Sequence, residues 1–178
     1  ARLVALGATL VDTDRIAREA TLAVGAALPA IAAAFGAAAI GADGALDRAW
    51  MRERAFADPQ AKRLLESILH PAIGEEAERQ AAAATGAAVV FDVPLLVESG
   101  RWRRKLDRVW LVDCEETTQV ARVVARSGWT EDAVRRVIAQ QAPRAMRRSA
   151  ADAVLYNEGI GIATLLERVD SLWNNLCP

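Results

Sequence analysis

Histidine and cysteine are nearly absent from this 178-residue chain, which has one histidine, His70, and two cysteines, Cys114 and Cys177. Two thiols at that spacing make no disulfide framework, and one imidazole cannot complete a Cys/His zinc set. Both thiols are expected to be reduced, as in a cytoplasmic protein. A surplus of either charge is missing too. The 22 Lys and Arg stand against 23 Asp and Glu, a net charge of −1. That gives no case for a nucleic-acid partner, which announces itself as a basic excess. No apolar stretch reaches membrane-spanning length without a charge, and the first residues do not read as a signal peptide. Internal repeats and low-complexity linkers are also lacking. The expectation is a soluble, cytoplasmic protein with no membrane or nucleic-acid partner, a monomer or at most a weak homo-oligomer. At 53% hydrophobic and 25% charged residues, the alanine-rich composition suits one well-buried domain with room for lobes.

What is present is a strand device used three times. Val89-Val90-Phe91 runs straight into Asp92, and Pro94 stops the strand. An uninterrupted apolar run of this kind suits a strand buried on both faces in a parallel sheet. In open α/β sheets ligands bind beyond the carboxyl ends of such strands, where Asp92 falls. Arg108-Val109-Trp110-Leu111-Val112-Asp113 and Leu10-Val11-Asp12-Thr13-Asp14 repeat the pattern. Any one of these acids is explained as the cap of the helix that follows. Three in one small chain argue for a shared catalytic edge.

Between the first two strands the chain reads as helix. Residues 1–6 form a helix tail closed by Gly7, and a helix from Arg15 takes Asp12 or Asp14 as its N-cap. An Ala-rich helix spans 27–39 from near Pro29, a turn falls at 41–44, and another helix covers 46–56. Asp58 caps the next with Pro59 in its first position, and its stripe of Leu64, Leu65, Ile68 and Leu69 is core. His70-Pro71 is expected to break that helix, which resumes over 72–84 until Gly86 stops it. Residues 14–85 are therefore a long helical crossover or an inserted lobe.

The second half is marked by arginine. Arg101, Arg103, Arg104 and Lys105 read as a solvated face. A helix over 117–126 carries Arg122 and Arg126 four apart, and a helix over 130–141 is capped by Thr130. Arg144, Arg147 and Arg148 follow Pro143, then a short strand at 153–157 and an amphipathic helix over 162–176. Acids at strand ends hold Mg²⁺ or accept a proton from an attacking hydroxyl, and arginines hold phosphate oxygens. An arginine-bearing helical hairpin between strands is what a lid over a nucleotide needs.

Val11-Asp12-Thr13-Asp14-Arg15-Ile16-Ala17-Arg18 resembles the D-x-D-x-I-A-R stretch of dephospho-coenzyme A kinases. The resemblance continues through Asp43-Gly44-Ala45-Leu46-Asp47-Arg48, Arg54-Ala55-Phe56-Ala57-Asp58-Pro59 and Leu69-His70-Pro71. It goes on in Asp92-Val93-Pro94-Leu95-Leu96-Val97-Glu98, Val112-Asp113, Thr118-Gln119 and Gln141-Ala142-Pro143-Arg144, and so covers nearly the whole chain. It implies an α/β fold: a P-loop kinase-like parallel sheet with flanking helices, a helical substrate lobe and a helical lid. The core would comprise 1–13, 86–114 and 151–178, the CoA-binding lobe 14–85, and the lid 115–150. The implied reaction moves the ATP γ-phosphoryl group to the ribose 3′-hydroxyl of dephospho-CoA, with Mg²⁺. By matching positions, Asp14 would be the base on that hydroxyl, and Asp12 would support it or the Mg²⁺. His70, Pro94, Leu95, Leu96 and Glu98 would lie on the dephospho-CoA side. Arg122, Arg126, Arg144 and Arg147 would be the lid cations, and Asn157 would lie near the adenine.

One departure outweighs the rest. The family's G-x-x-x-x-G-K-[ST] phosphate loop has no copy in these residues. Gly36 and Gly41 have the spacing, but Ala42-Asp43 follows where Lys and Ser/Thr are required. In the family that loop and its strand, which lies in the middle of the sheet, fall just before the position of Ala1. The chain is therefore expected to be N-terminally shortened, with two strand edges lacking a partner and little or no phosphoryl transfer of its own. Normal turnover in a kinase assay would contradict this. Smaller departures are Pro143 before the lid arginine and Asp152-Ala153 before the last strand. Two other readings stay open. Another small-molecule P-loop kinase is disfavoured by the lobe with Leu69-His70-Pro71. A catalytically dead CoA-binding module is disfavoured by Asp14 and the lid arginines.

Overall fold

The computed structural model describes residues 1–176, with side chains as far as Asn175; Cys177 lies outside the described residues. A one-turn helix α1 (Arg2–Ala5) leads into β1 (Ala8–Asp12) and α2 (Thr13–Glu19). Helices α3 (Leu28–Phe35), α4 (Arg48–Ala57) and α5 (Pro59–Ala82) follow, then β2 (Ala88–Asp92) and a short α6 (Leu96–Ser99). Strand β3 (Trp110–Asp113) precedes α7 (Glu116–Ser127), α8 (Glu131–Ile138) and α9 (Arg144–Ser149). The chain ends in β4 (Ala153–Tyr156) and α10 (Ile162–Leu176). It forms two compact units, residues 7–93 and residues 1–6 with 94 onward.

In the first unit β1 and β2 pair in parallel, Ala8 opposite Ala88 through Asp12 opposite Asp92. A parallel pair needs a crossover, and the helices α2 to α5 supply it. Gly86 lets the two strand entries meet. A Cβ there would sit 2.5 Å from the Gly7 carbonyl oxygen and 2.9 Å from the Thr9 nitrogen. The helical core gathers Ala20, Ala27, Ile31, Ala39 and Met51, with Phe35, Trp50, Leu65, Ile68 and Leu69 packed against it.

Four expectations are corrected here. The Ala-rich helix stops at Phe35, because Gly36 turns the chain at φ 79° before a short 3₁₀ segment, Ala37–Ala39. Helix α5 does not break at Pro71 and runs 24 residues from Pro59 to Ala82. Apolar residues on both sides of the proline, Ile68, Leu69 and Ala72, pack on one core, and that burial holds the helix together across the missing N–H. Leu64 is exposed rather than core. Strand β2 is half-buried along Ala88–Phe91 instead of enclosed on both faces.

Other local readings hold. Asp58 accepts the Gln60 N–H at 2.8 Å with Pro59 in the first position of α5, and Thr130 caps α8. In the second unit β3 and β4 pair in parallel, Trp110 opposite Ala153 through Asp113 opposite Tyr156. Val109, Val120, Val134, Leu155 and Trp173 are buried there. Arg2 of α1 grips Asp170 of α10 through two 2.6 Å hydrogen bonds.

Candidate active site

The acid edge belongs to the first unit. Register places Asp12 and Asp92 side by side at the carboxyl ends of β1 and β2. Asp12 is in extended backbone and its Oδ1 accepts the Arg15 N–H at 2.8 Å, so it caps α2. The Thr13 hydroxyl donates to the Asp92 carbonyl at 2.8 Å, fixing the start of α2 to the end of β2. One residue on, Asp14 stands exposed in the first turn of α2, where the helix dipole favours a carboxylate. It makes no hydrogen bond or ion pair among the described residues, which leaves the carboxylate available to a ligand hydroxyl. His70 is half-buried on α5, within the unbroken helix.

The third strand-end acid is Asp113. That residue is 4% exposed and lies in the second unit. Its carboxylate accepts Arg144 Nε and Nη2 at 2.9 and 2.8 Å, and Arg148 Nη1 as well. The Arg144 hydrogen bond, with Arg148 beside it, holds the Asp113 carboxyl below the ordinary carboxylate range despite burial. Arg144 also donates to Glu115 and lies 5.8 Å over the Tyr156 ring. Tyr156 donates its hydroxyl to Glu115 at 2.7 Å. Arg144 pulls the Glu115 carboxyl down, and Glu115 in turn pushes the Tyr156 phenol up. Paired with two carboxylates, Arg144 is itself raised above the usual arginine value. The fixed sequence Asp113-Arg144-Glu115-Tyr156 clamps α9 onto the ends of β3 and β4.

The other arginines are dispersed. Arg122 Nη2 donates to the Asn157 carbonyl at 3.1 Å, and Arg126 Nε reaches Ser127 Oγ at 3.5 Å. Arg147 Nη1 donates to Gln141 Oε1 at 3.3 Å, and its Nε is buried without a partner. Arg144 and Arg147 line a cavity of about 280 Å³ among α7, α8 and α9, with Val120, Arg135, Gln141 and Pro143. Of the substrate-side residues, His70 falls in the first unit, and Pro94, Leu95, Leu96 and Glu98 in the second. Glu98 Oε1 accepts the Ala142 N–H at 2.7 Å, just before α9. Glu158 accepts the Glu115 N–H and the Thr118 hydroxyl, and its carboxyl is lowered by them.

Sequence reasoning placed Arg148 in the arginine cluster without its partner, and gave no role to Glu115, Tyr156 or Glu158. The spacing of Arg144 and Arg148, four apart on one helix face, was the available signal for a two-armed clamp on a buried acid. Among the described residues no cluster of three or more His, Cys, Asp or Glu could hold a metal by itself. The pair Asp12 and Asp92 does fit Mg²⁺, which is held by one or two carboxylates together with substrate phosphates and water. No helix among the described residues is long and apolar enough to cross a membrane.

Comparison with known proteins supplies the frame for these geometries. A family model described as dephospho-CoA kinase matches residues 1–162. A dephospho-CoA kinase of Bordetella avium is 54% identical over 167 residues, covering 93% of this chain and 78% of that protein. One from Burkholderia pseudomallei is 52% identical over 167 residues, with 94% and 82% covered. A crystal structure of a Thermus thermophilus protein superposes with a TM-score of 0.84 at 28% identity, covering 99% of this chain and 89% of that one. The dephospho-CoA kinase of Campylobacter jejuni shares the fold, with a TM-score of 0.69 at 19% identity and coverage of 98% and 87%. The fold is therefore the α/β, P-loop kinase-like one, and the chain belongs to the dephospho-CoA kinase family.

Proposed function

We propose that these residues, which hold no G-x-x-x-x-G-K-[ST] loop, supply the acceptor side of the phosphorylation of the ribose 3′-hydroxyl of dephospho-CoA to give CoA, with ATP as donor and Mg²⁺ as the accompanying cation. The observation that carries the reading is Asp14, a carboxylate at the strand edge of a member of this family, exposed and left without an internal partner. In this reading Asp14 orients the 3′-hydroxyl and takes its proton. Asp12, fixed by its cap and beside Asp92, supports Asp14 and offers a carboxylate oxygen to Mg²⁺. That ion, when bound, neutralises charge on the transferring phosphoryl group. His70, and separately Pro94, Leu95, Leu96 and Glu98, are assigned to dephospho-CoA by their match to the family's motifs. Arg122, Arg126 and Arg147 supply lid cations, and Asn157 borders the adenine. Arg144 reaches phosphate only by leaving Asp113 and Glu115, which gives it a second role as a clamp. The division into a core at 1–13, 86–114 and 151–178, a lobe at 14–85 and a lid at 115–150 belongs to the same reading.

Product discrimination tests the Asp14 role without depending on turnover. CoA carries a phosphate where dephospho-CoA carries the hydroxyl, so the Asp14 carboxylate should repel it. Calorimetric titration should show dephospho-CoA bound more tightly than CoA. Asp14→Asn should narrow that gap by about three- to tenfold, mainly by improving CoA binding. An unchanged preference in the variant would remove Asp14 from the 3′ position.

A further inference from the structure

Thr13 stands between the half-buried Asp12 and the exposed Asp14 and is itself only 7% exposed. A threonine at a helix start ordinarily serves as the cap. Here Asp12 already does that work, through its Oδ1 on the Arg15 N–H. A threonine inside a helix ordinarily turns its hydroxyl back on its own preceding turn. Thr21, just past the end of α2, shows that habit, with Oγ1 on the Ala17 and Arg18 carbonyls at 3.2 and 3.0 Å. Thr13 does neither. Its hydroxyl crosses to the Asp92 carbonyl, 79 residues along the chain, at 2.8 Å.

The place of that bond gives it a consequence for Asp14. The first N–H groups of a helix have no partner inside it, so its opening turn is the part least held by the helix itself. Ile16, 1% exposed, anchors α2 only from the middle of the helix onward. The Asp12 cap orders the opening turn internally and does not fix it to the sheet. The Thr13 bond does, at the end of β2 where Asp92 lies opposite Asp12. Because the Asp14 carboxylate has no internal partner, its position is set by the backbone that carries it. Resting on the dephospho-CoA reading, we propose that Thr13 is the positioning residue for Asp14. Its hydroxyl holds the opening turn of α2 on the Asp92 carbonyl and thereby sets where the Asp14 carboxylate meets the acceptor hydroxyl. A site of this kind is sensitive to displacements of about 1 Å, and one buried hydrogen bond next to the reacting group is the usual means of preventing them. Serine can make the same bond. Valine has the shape of threonine without the donor and leaves the Asp92 carbonyl short of a partner.

The test is calorimetric titration of dephospho-CoA and of CoA into wild-type protein, Thr13→Val, Thr13→Ala and Thr13→Ser, at a temperature where melting curves show all four folded. Thr13→Val and Thr13→Ala should narrow the preference for dephospho-CoA over CoA by about three- to fivefold, while Thr13→Ser stays within about twofold of wild type. In the Asp14→Asn background Thr13→Val should narrow the preference no further, as required of a residue that acts through Asp14. A lower melting temperature with unchanged preference in the two hydroxyl-free variants would make Thr13 a purely structural tie and overturn the inference, with the Asp14 reading intact. Equal narrowing in Thr13→Ser, or a full further loss in the Asp14→Asn background, would also overturn it. Wild-type protein that binds CoA as tightly as dephospho-CoA, or binds neither, would overturn the functional reading and this inference with it.

Discussion

Asp113 shows how a residue's place can be legible in the sequence when its partners are not. The apolar run before it marks a strand ending, and the strand does end there. What the sequence does not reveal is that arginines 31 and 35 residues later return to it. A buried acid neutralised by two guanidinium groups is structural, whereas Asp14, exposed and unpaired, keeps its chemistry. Asp113→Asn should cost about 2 kcal/mol of stability, the size of a hydrogen-bonded charge contact, measured by denaturant unfolding. The pH dependence has a definite sign. Because the folded-state pKa of Asp113 is lowered, its contribution is present above the unfolded carboxylate value of about 4. It is lost as the pH falls through the lower folded value. Wild-type protein should therefore lose more stability than Asp113→Asn below about pH 4. Parallel acid profiles for the two proteins would show that the arginine clamp is energetically idle.

At the scale of elements, start signals were legible because they are local. Asp58-Pro59 and Thr130 were read as helix starts from side chain and backbone chemistry alone. Helix ends depend more on packing, and there the reading failed in both directions. Gly36 ended a helix that alanine content favoured extending, and Pro71 did not end one that backbone chemistry said it should. Alanine reports propensity alone, while Leu65, Ile68, Leu69 and Ala72 report burial, which is larger. The residual strain at Pro71 is measurable. Pro71→Ala restores an N–H toward the Ser67 carbonyl and should stabilise the protein by about 1–2 kcal/mol, less than the full proline penalty because alanine also loosens the unfolded chain. Thermal melting checks it, and a lower melting temperature would show that the proline is favoured where it stands.

For the whole molecule, what could be read was the order of motifs, since D-x-D-x-I-A-R, Leu-His-Pro and Pro-Leu-Leu-Val-Glu lie in one sequence. Their three-dimensional grouping could not be read, because it depends on contacts between distant residues. The structure assembles Asp12, Asp14 and Asp92 at one strand edge and collects Arg144, Arg148 and Asp113 in another unit. Phe56 was legible as part of a motif, but its exposure was not, since a phenylalanine in a helix is ordinarily core. The exposed, unpaired Asp14 at the strand edge of the first unit and the family to which the chain belongs converge on dephospho-CoA as the acceptor. Calorimetric titration of dephospho-CoA into this chain, beside a simple nucleoside and shikimate, tests that convergence most directly. The account predicts saturable one-to-one binding of dephospho-CoA and much weaker heats for the other two. Equal binding of the nucleoside, or no binding of dephospho-CoA, would contradict it.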